Sequence, residues 1–103
     1  MTPAFKKVKY RSILTQWKAL NSNEKLLALL ILAKSGKEGW AKMSLGEIQE
    51  GTGGLHYKTI HKGVARLEEL GALETAPSEK KRHTLYRLHE STHVREPKAA
   101  LSA

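Results

Sequence analysis

Apolar residues recur along this chain with periods that change from helical to strand-like. Residues 26–33 read Leu-Leu-Ala-Leu-Leu-Ile-Leu-Ala, apolar nearly all round, which predicts a central core helix over residues 22–35. Asn21, with Glu24 three residues on, supplies a capping-box start, and Gly36 supplies a stop. Before it, Ile13, Leu14, Trp17 and Leu20 recur at helical spacing and predict an amphipathic helix of about two turns. After it, residues 39–43 fit a short strand with Trp40 against the core. Ser44 and Glu47 form a second capping box, opening a helix with Leu45 and Ile48 inward. Gly51, Gly53 and Gly54 then break the chain into a turn.

A longer helix is expected from near His56 to about Leu70, with Ile60, Val64, Leu67 and Leu70 as its buried stripe and Gly71 as its end. At 100° per residue, Lys58, Lys62, Ala65 and Glu69 then fall opposite Ile60, with His61 and Arg66 flanking them. Two lysines and a histidine therefore sit early on the outer face, while the acids Glu68 and Glu69 come late. That polarity suits a helix whose first half enters an anionic groove. Residues 72–76 read as a strand, residues 77–83 as a basic loop, and residues 84–88 as a second strand. Tyr86 and Leu88 share one of its faces, Leu85 and Arg87 the other. Residues 89–103 carry no period and are expected to form a loose tail. The organisation expected is a basic arm with a short helix over 1–20, a domain over 21–88 and a flexible tail over 89–103.

Thr-Gly-Gly-Leu-His-Tyr-Lys-Thr-Ile at 52–60 and Arg-Leu-Glu-Glu-Leu-Gly-Ala-Leu at 66–73 resemble the turn-plus-recognition-helix and the helix-to-wing junction of the winged helix-turn-helix family of bacterial, plasmid and phage DNA-binding proteins. The resemblance implies a mostly α fold with a small β-hairpin wing, and one helix laid in the DNA major groove. Three details depart from the family's habit. His56 stands where a Ser or Thr cap is common, the turn has an extra glycine, and the wing has no glycine at its tip.

Charge agrees with that resemblance. Eighteen basic against ten acidic residues in a chain of 103 give +8, which favours polyanionic partners, nucleic acid before acidic membrane. Absence of cysteine excludes disulfides and thiolate-rich zinc sites. No apolar stretch follows the basic N-terminus, and the longest apolar run is far short of the roughly 20 residues that span a bilayer. A cytoplasmic, nucleoid-associated protein without a membrane partner is expected.

The candidate DNA contacts follow. Lys58 and Lys62 suit guanine O6 and N7, and His61 suits a base edge or a phosphate. His56 and Tyr57 occupy the helix's first turn, Tyr57 partly toward the core, so that a structural and a contact role stand level. Arg66 flanks the outer face. Lys80, Lys81 and Arg82 at the loop tip fit phosphates, as the family's wing does, although a charge run is commonly only a solvated face. Ser44 begins the first helix of the motif, where a phosphate contact and plain capping are compatible. Lys6, Lys7 and Lys9 lie in an acid-free N-terminal stretch that reads as a flexible arm or a short strand on the body.

Two motifs compete with this reading and fail on context. His89-Glu90-Ser91-Thr92-His93 matches the HExxH zinc-protease pattern but falls in the expected tail, with Pro97 close behind. Gly54 with Lys58-Thr59 lacks both the glycine before the lysine and the strand before the loop that a phosphate loop needs. Neither an enzyme nor a cofactor or metal site is expected. The leading expectation is a sequence-specific binder of double-stranded DNA, a small transcriptional regulator acting by occupying its operator. One helix reads few base pairs, so a homodimer or several copies on DNA are implied. The alternatives are a plasmid or phage replication or partition protein, a winged helix used for protein–protein assembly, and an RNA binder.

Overall fold

The apolar run at 26–33 becomes the hub of the fold. In the computed structural model, which describes residues 8–95, it lies in helix α1 (Ser22–Lys34). Asn21 Oδ1 accepts the Glu24 N–H at 2.8 Å and Glu24 Oε1 accepts the Asn21 N–H at 2.9 Å, so two orphan donors are satisfied reciprocally. Leu27, Ala28, Ile31 and Leu32 are buried. The helix stops at Ser35 and not through Gly36. Ser35 turns to extended backbone, and its N–H and Oγ–H both donate to Leu32 O, at 3.2 and 2.7 Å.

Three strands form one sheet, β1 (Trp40–Ser44), β2 (Leu73–Pro77) and β3 (His83–Leu88), which meets α1 through β1 and β3. All pairings are antiparallel and the order is β1-β3-β2, which makes β3 central. Ala41, Met43, Leu73 and Leu88 are buried. The opposite face carries the cross-strand row Trp40, Arg87, Glu74. There the Arg87 guanidinium lies 4.5 Å from the Trp40 ring centroid and 2.8 Å from Glu74. Trp40 is therefore half-buried on the outer face under Arg87, contrary to the expectation that it meets the core. The strand register had placed it there all along, since Trp40 stands two residues from exposed Lys42.

Residues 12–20 do not form the expected two-turn α-helix. Ser12–Gln16 makes one π-helical turn, closed by Trp17 N–H donating to Ser12 O at 2.9 Å. Ile13, Trp17 and Leu20 still reach the core, while Leu14 is swung out and 56% exposed. The expectation of a loose tail is corrected for residues 89–95. Val94, in the short helix α4 (Thr92–Arg95), is fully buried. Its carbonyl accepts the Ala19 N–H at 3.1 Å, and Ser91 Oγ–H donates to Leu70 O at 2.7 Å. Both ends of the described stretch thus join the same core, which includes Val8 and Val94. One valine among polar residues carries no period, so nothing in the local pattern announces this contact. Residues 96–103 lie outside the described residues. Between β1 and β2 come helices α2 (Leu45–Gly51) and α3 (Tyr57–Glu69), which carry the candidate site.

Candidate nucleic-acid interface

Strand β1 runs directly into α2 through Ser44. Ser44 Oγ accepts the Glu47 N–H at 3.1 Å, and Glu47 Oε1 accepts the Ser44 N–H at 3.2 Å. Hydrogen bonding from the Ser44 backbone, aided by the Ser44 hydroxyl and His83, holds the Glu47 carboxyl below its usual pKa. The capping role of Ser44 is thus filled, and the position an anion would take at this helix start is held by the Glu47 carboxylate. Ile48 is buried as expected, but Leu45 is 37% exposed.

The turn between α2 and α3 uses its glycines unequally. Gly53 and Gly54 have φ of 76° and 98°, a region that side chains rarely adopt. Gly51 instead ends α2 and is small for packing, since a Cβ there would come within 2.7 Å of Leu30 Cδ1. Thr52, at the start of the turn, is buried and donates its hydroxyl to Ile48 O at 2.8 Å. A buried hydroxyl with a partner four residues back fixes the turn against α2.

Helix α3 begins with His56 as its cap. The imidazole Nδ1 accepts the Lys58 N–H at 3.2 Å, so the histidine does the work of the missing Ser or Thr. The buried stripe runs through Ile60, Gly63, Leu67 and Leu70, with Val64 only half-buried at its edge. The helix is rotated toward Gly63 because that position carries no Cβ and can lie directly on Leu27 of α1. Periodicity ranks a glycine as neutral and so favours Val64 for the stripe.

The rotation leaves Lys58, His61, Lys62 and Ala65 exposed, and together with Thr59 they line one shallow depression on the outer face. Tyr57 is 45% exposed and belongs to that surface, not to the core side. Its ring lies 4.5 Å from that of His56 and meets His61 edge-on at 6.2 Å. Arg66, half-buried in the last turn, stands apart at the far end of the helix.

The hairpin between β2 and β3 presents Lys80, Lys81 and Arg82, all exposed. It has no glycine, and Arg82 itself takes the left-handed conformation at φ 64°. The Lys80 N–H donates to Ser78 Oγ at 3.1 Å and Lys80 O accepts the His83 N–H at 3.2 Å. His83 at the base of the hairpin reaches Glu47 of α2 at 2.8 Å, which joins the hairpin to the start of the two-helix unit.

Among the described residues, ion pairs engage His83, Arg87, His89 and Arg95. None engages Lys58, Lys62, Lys80, Lys81 or Arg82. These cations keep their full fields toward solvent, whereas Arg87 is spent on Glu74 and Trp40. Lys9 is exposed at the N-terminal turn, and Lys6 and Lys7 lie outside the described residues. His89 and His93 do not share one helix: His89 precedes α4 and its Nε2 lies 2.8 Å from Glu74 Oε1. Among the described residues no three His, Cys, Asp or Glu side chains are grouped to hold a metal ion. No helix there is long and apolar enough to cross a membrane. Comparison with protein-family models, with curated proteins and with solved structures found no match for this chain.

Proposed function

We propose that this chain is a winged helix-turn-helix domain that binds double-stranded DNA in a sequence-specific way and regulates transcription by occupying its operator. The observation that carries the reading is the unpaired cationic face of α3. Lys58, His61 and Lys62 project from its first half around the small Ala65, with no carboxylate of the described residues paired to them. A surface helix kept for solubility alone commonly balances such lysines with acids three or four residues away. The element order supports the same reading. Two helices joined by a glycine turn are followed by a hairpin with a basic tip, tied at its base to the first of them, the arrangement that sets a recognition helix in the major groove and a wing on the backbone. A helix of 13 residues is about 20 Å long, enough to follow the groove over a few base pairs.

In this reading Lys58 and Lys62 read guanine edges, His61 and Tyr57 complete the contact surface, and the hairpin cations hold phosphates. One helix reads too few base pairs for an operator, so the protein acts as a homodimer or as several copies on adjacent sites. Selection of duplexes from a random pool, followed by anisotropy titration of the recovered site, tests the proposal. A recovered motif bound at least about 1000-fold more tightly than random duplex and not displaced by RNA is expected. Recovery of no motif, or equal displacement by RNA and duplex DNA, overturns it.

A further inference from the structure

His83 is placed so that both of its ring nitrogens face acceptors. Nδ1 lies 3.0 Å from Lys81 O, and Nε2 lies 2.8 Å from Glu47 Oε1. A carbonyl oxygen cannot donate, and neither can an ionised carboxylate. A neutral imidazole carries a single N–H and satisfies one of these contacts, while the imidazolium satisfies both. The His83 side chain is only 14% exposed, so water is a poor substitute for the lost partner. We propose that His83, as the imidazolium, is the positioning residue of the hairpin: it clamps the tip carbonyl to the start of α2 and so fixes where Lys81 and Arg82 project, making DNA binding tighten as the pH falls. This rests on the DNA-binding reading above.

Charges of both signs surround the ring. From α2 the group that faces the ring is the Glu47 carboxylate, the one anion paired with it among the described residues. From β1 come Ser44, directly opposite in the register, and Lys42 two residues along the same face. The hairpin adds the cations of Lys81 and Arg82, which oppose a further positive charge as Lys42 does. Loss of the proton leaves one of the two links without a donor. If Lys81 O is released, the tip keeps the bond from Lys80 N–H to Ser78 Oγ and the bond from His83 N–H to Lys80 O. If Glu47 is released, the hairpin loses its side-chain tie to α2 and is held there by the pairing of β3 with β1. Both outcomes loosen the same two cations, which must then be ordered again at each binding event.

The brace is tested first without DNA. In the full chain the ring signals of His83 and the backbone amides of Lys80, Lys81 and Arg82 are followed by NMR between about pH 5 and 8. The hairpin amides are expected to shift with the midpoint of His83, and in His83→Gln or Glu47→Gln to lose that transition. Amides that stay still while the His83 ring titrates, or an unchanged transition in the folded variants, overturn the proposal; the wild-type titration decides even where a variant fails to fold. Affinity for the selected duplex is then expected to fall about three- to tenfold more between pH 6 and 8 in the wild type than in His83→Gln. The comparison between the two proteins removes every contribution that the substitution leaves in place. Equal falls overturn the link to binding. Failure of both proteins to bind any duplex, with the amide transition intact, would instead refute the DNA-binding reading and leave the brace standing.

Discussion

Gly63 of α3 lies on Leu27 of α1 with no space for a methyl group between them. This contact sets the rotation of α3, and hence which of its residues face outward. Gly63→Ala gains helix propensity worth about 1 kcal/mol, but the added methyl collides with a leucine that is 1% exposed and has no room to retreat. Overpacking costs about 1–3 kcal/mol, so the steric term prevails. The variant is expected to be about 1 kcal/mol less stable in urea titration, and combining it with Leu27→Ala should cost less than the two changes separately. An additive double variant would show that the two residues do not set the helix spacing.

The C-terminal segment is expected to behave as part of the core. Val94 is fully buried, its carbonyl holds the Ala19 N–H at 3.1 Å, and Trp17 Nε1–H reaches Glu90 at 3.4 Å. Val94→Ala should cost about 1–3 kcal/mol in chemical denaturation and increase amide exchange at Ala19. A change of stability below about 0.5 kcal/mol would mark the segment as loosely attached.

Base readout and backbone contact separate by substitution. Lys58→Ala or Lys62→Ala should weaken the preferred duplex by about 1–3 kcal/mol and narrow its advantage over random duplex. Lys81→Ala should weaken both alike and lower the salt slope by about one from a starting value of roughly −4 to −5. Loss of specificity in the hairpin variant with both helix variants still discriminating would place the recognition element elsewhere.

Arg82 holds a left-handed conformation at φ 64° that disfavours any side chain by roughly 1–2 kcal/mol. Arg82→Gly relieves that strain but adds backbone freedom to the unfolded chain, and is expected to raise stability by a few tenths to about 1 kcal/mol. It should at the same time weaken DNA binding, because a cation is gone. Arg82→Ala should lose the binding without the gain in stability. A glycine variant that is both more stable and equally tight on DNA would leave the arginine without a purpose at the tip.

Two carboxylates make the fold sensitive to acid. Hydrogen bonds from the Ser44 backbone and, less, from the Ser44 hydroxyl and His83 lower the pKa of Glu47; those from His89 and then Arg87 lower that of Glu74. A depressed folded-state pKa contributes stability that is present above the unfolded-state pKa and is lost as the pH falls through the folded-state value. The urea midpoint should therefore decline below the ordinary carboxylate range, and Glu47→Gln and Glu74→Gln should each flatten the decline. Unchanged pH profiles in both variants would show that other groups carry it.

Much of the fold is legible from local pattern. The capping boxes at Asn21–Glu24 and Ser44–Glu47 mark two helix starts to the residue, since each needs only a side chain and a backbone donor three positions away. Gly71, at φ 74°, ends α3 where the chain said it would, and the alternation across residues 84–88 places Leu88 inside. The lysines of α3 could be assigned outward because Ile60 and Leu67 anchor the opposite face. What local pattern cannot carry is any contact whose partner is distant. Val94 became core because its segment is held to Ala19 by a backbone hydrogen bond, and Trp40 stayed outside because Arg87 of another strand covers it. Gly63 was silent as a glycine until Leu27 packed on it, and the small rotation of α3 that follows brings Tyr57 to the surface. His83 likewise reads as one more basic-loop residue, and only chain folding brings its second ring nitrogen to Glu47. Period and capping are properties of neighbours along the chain, whereas burial and paired charge belong to neighbours in space.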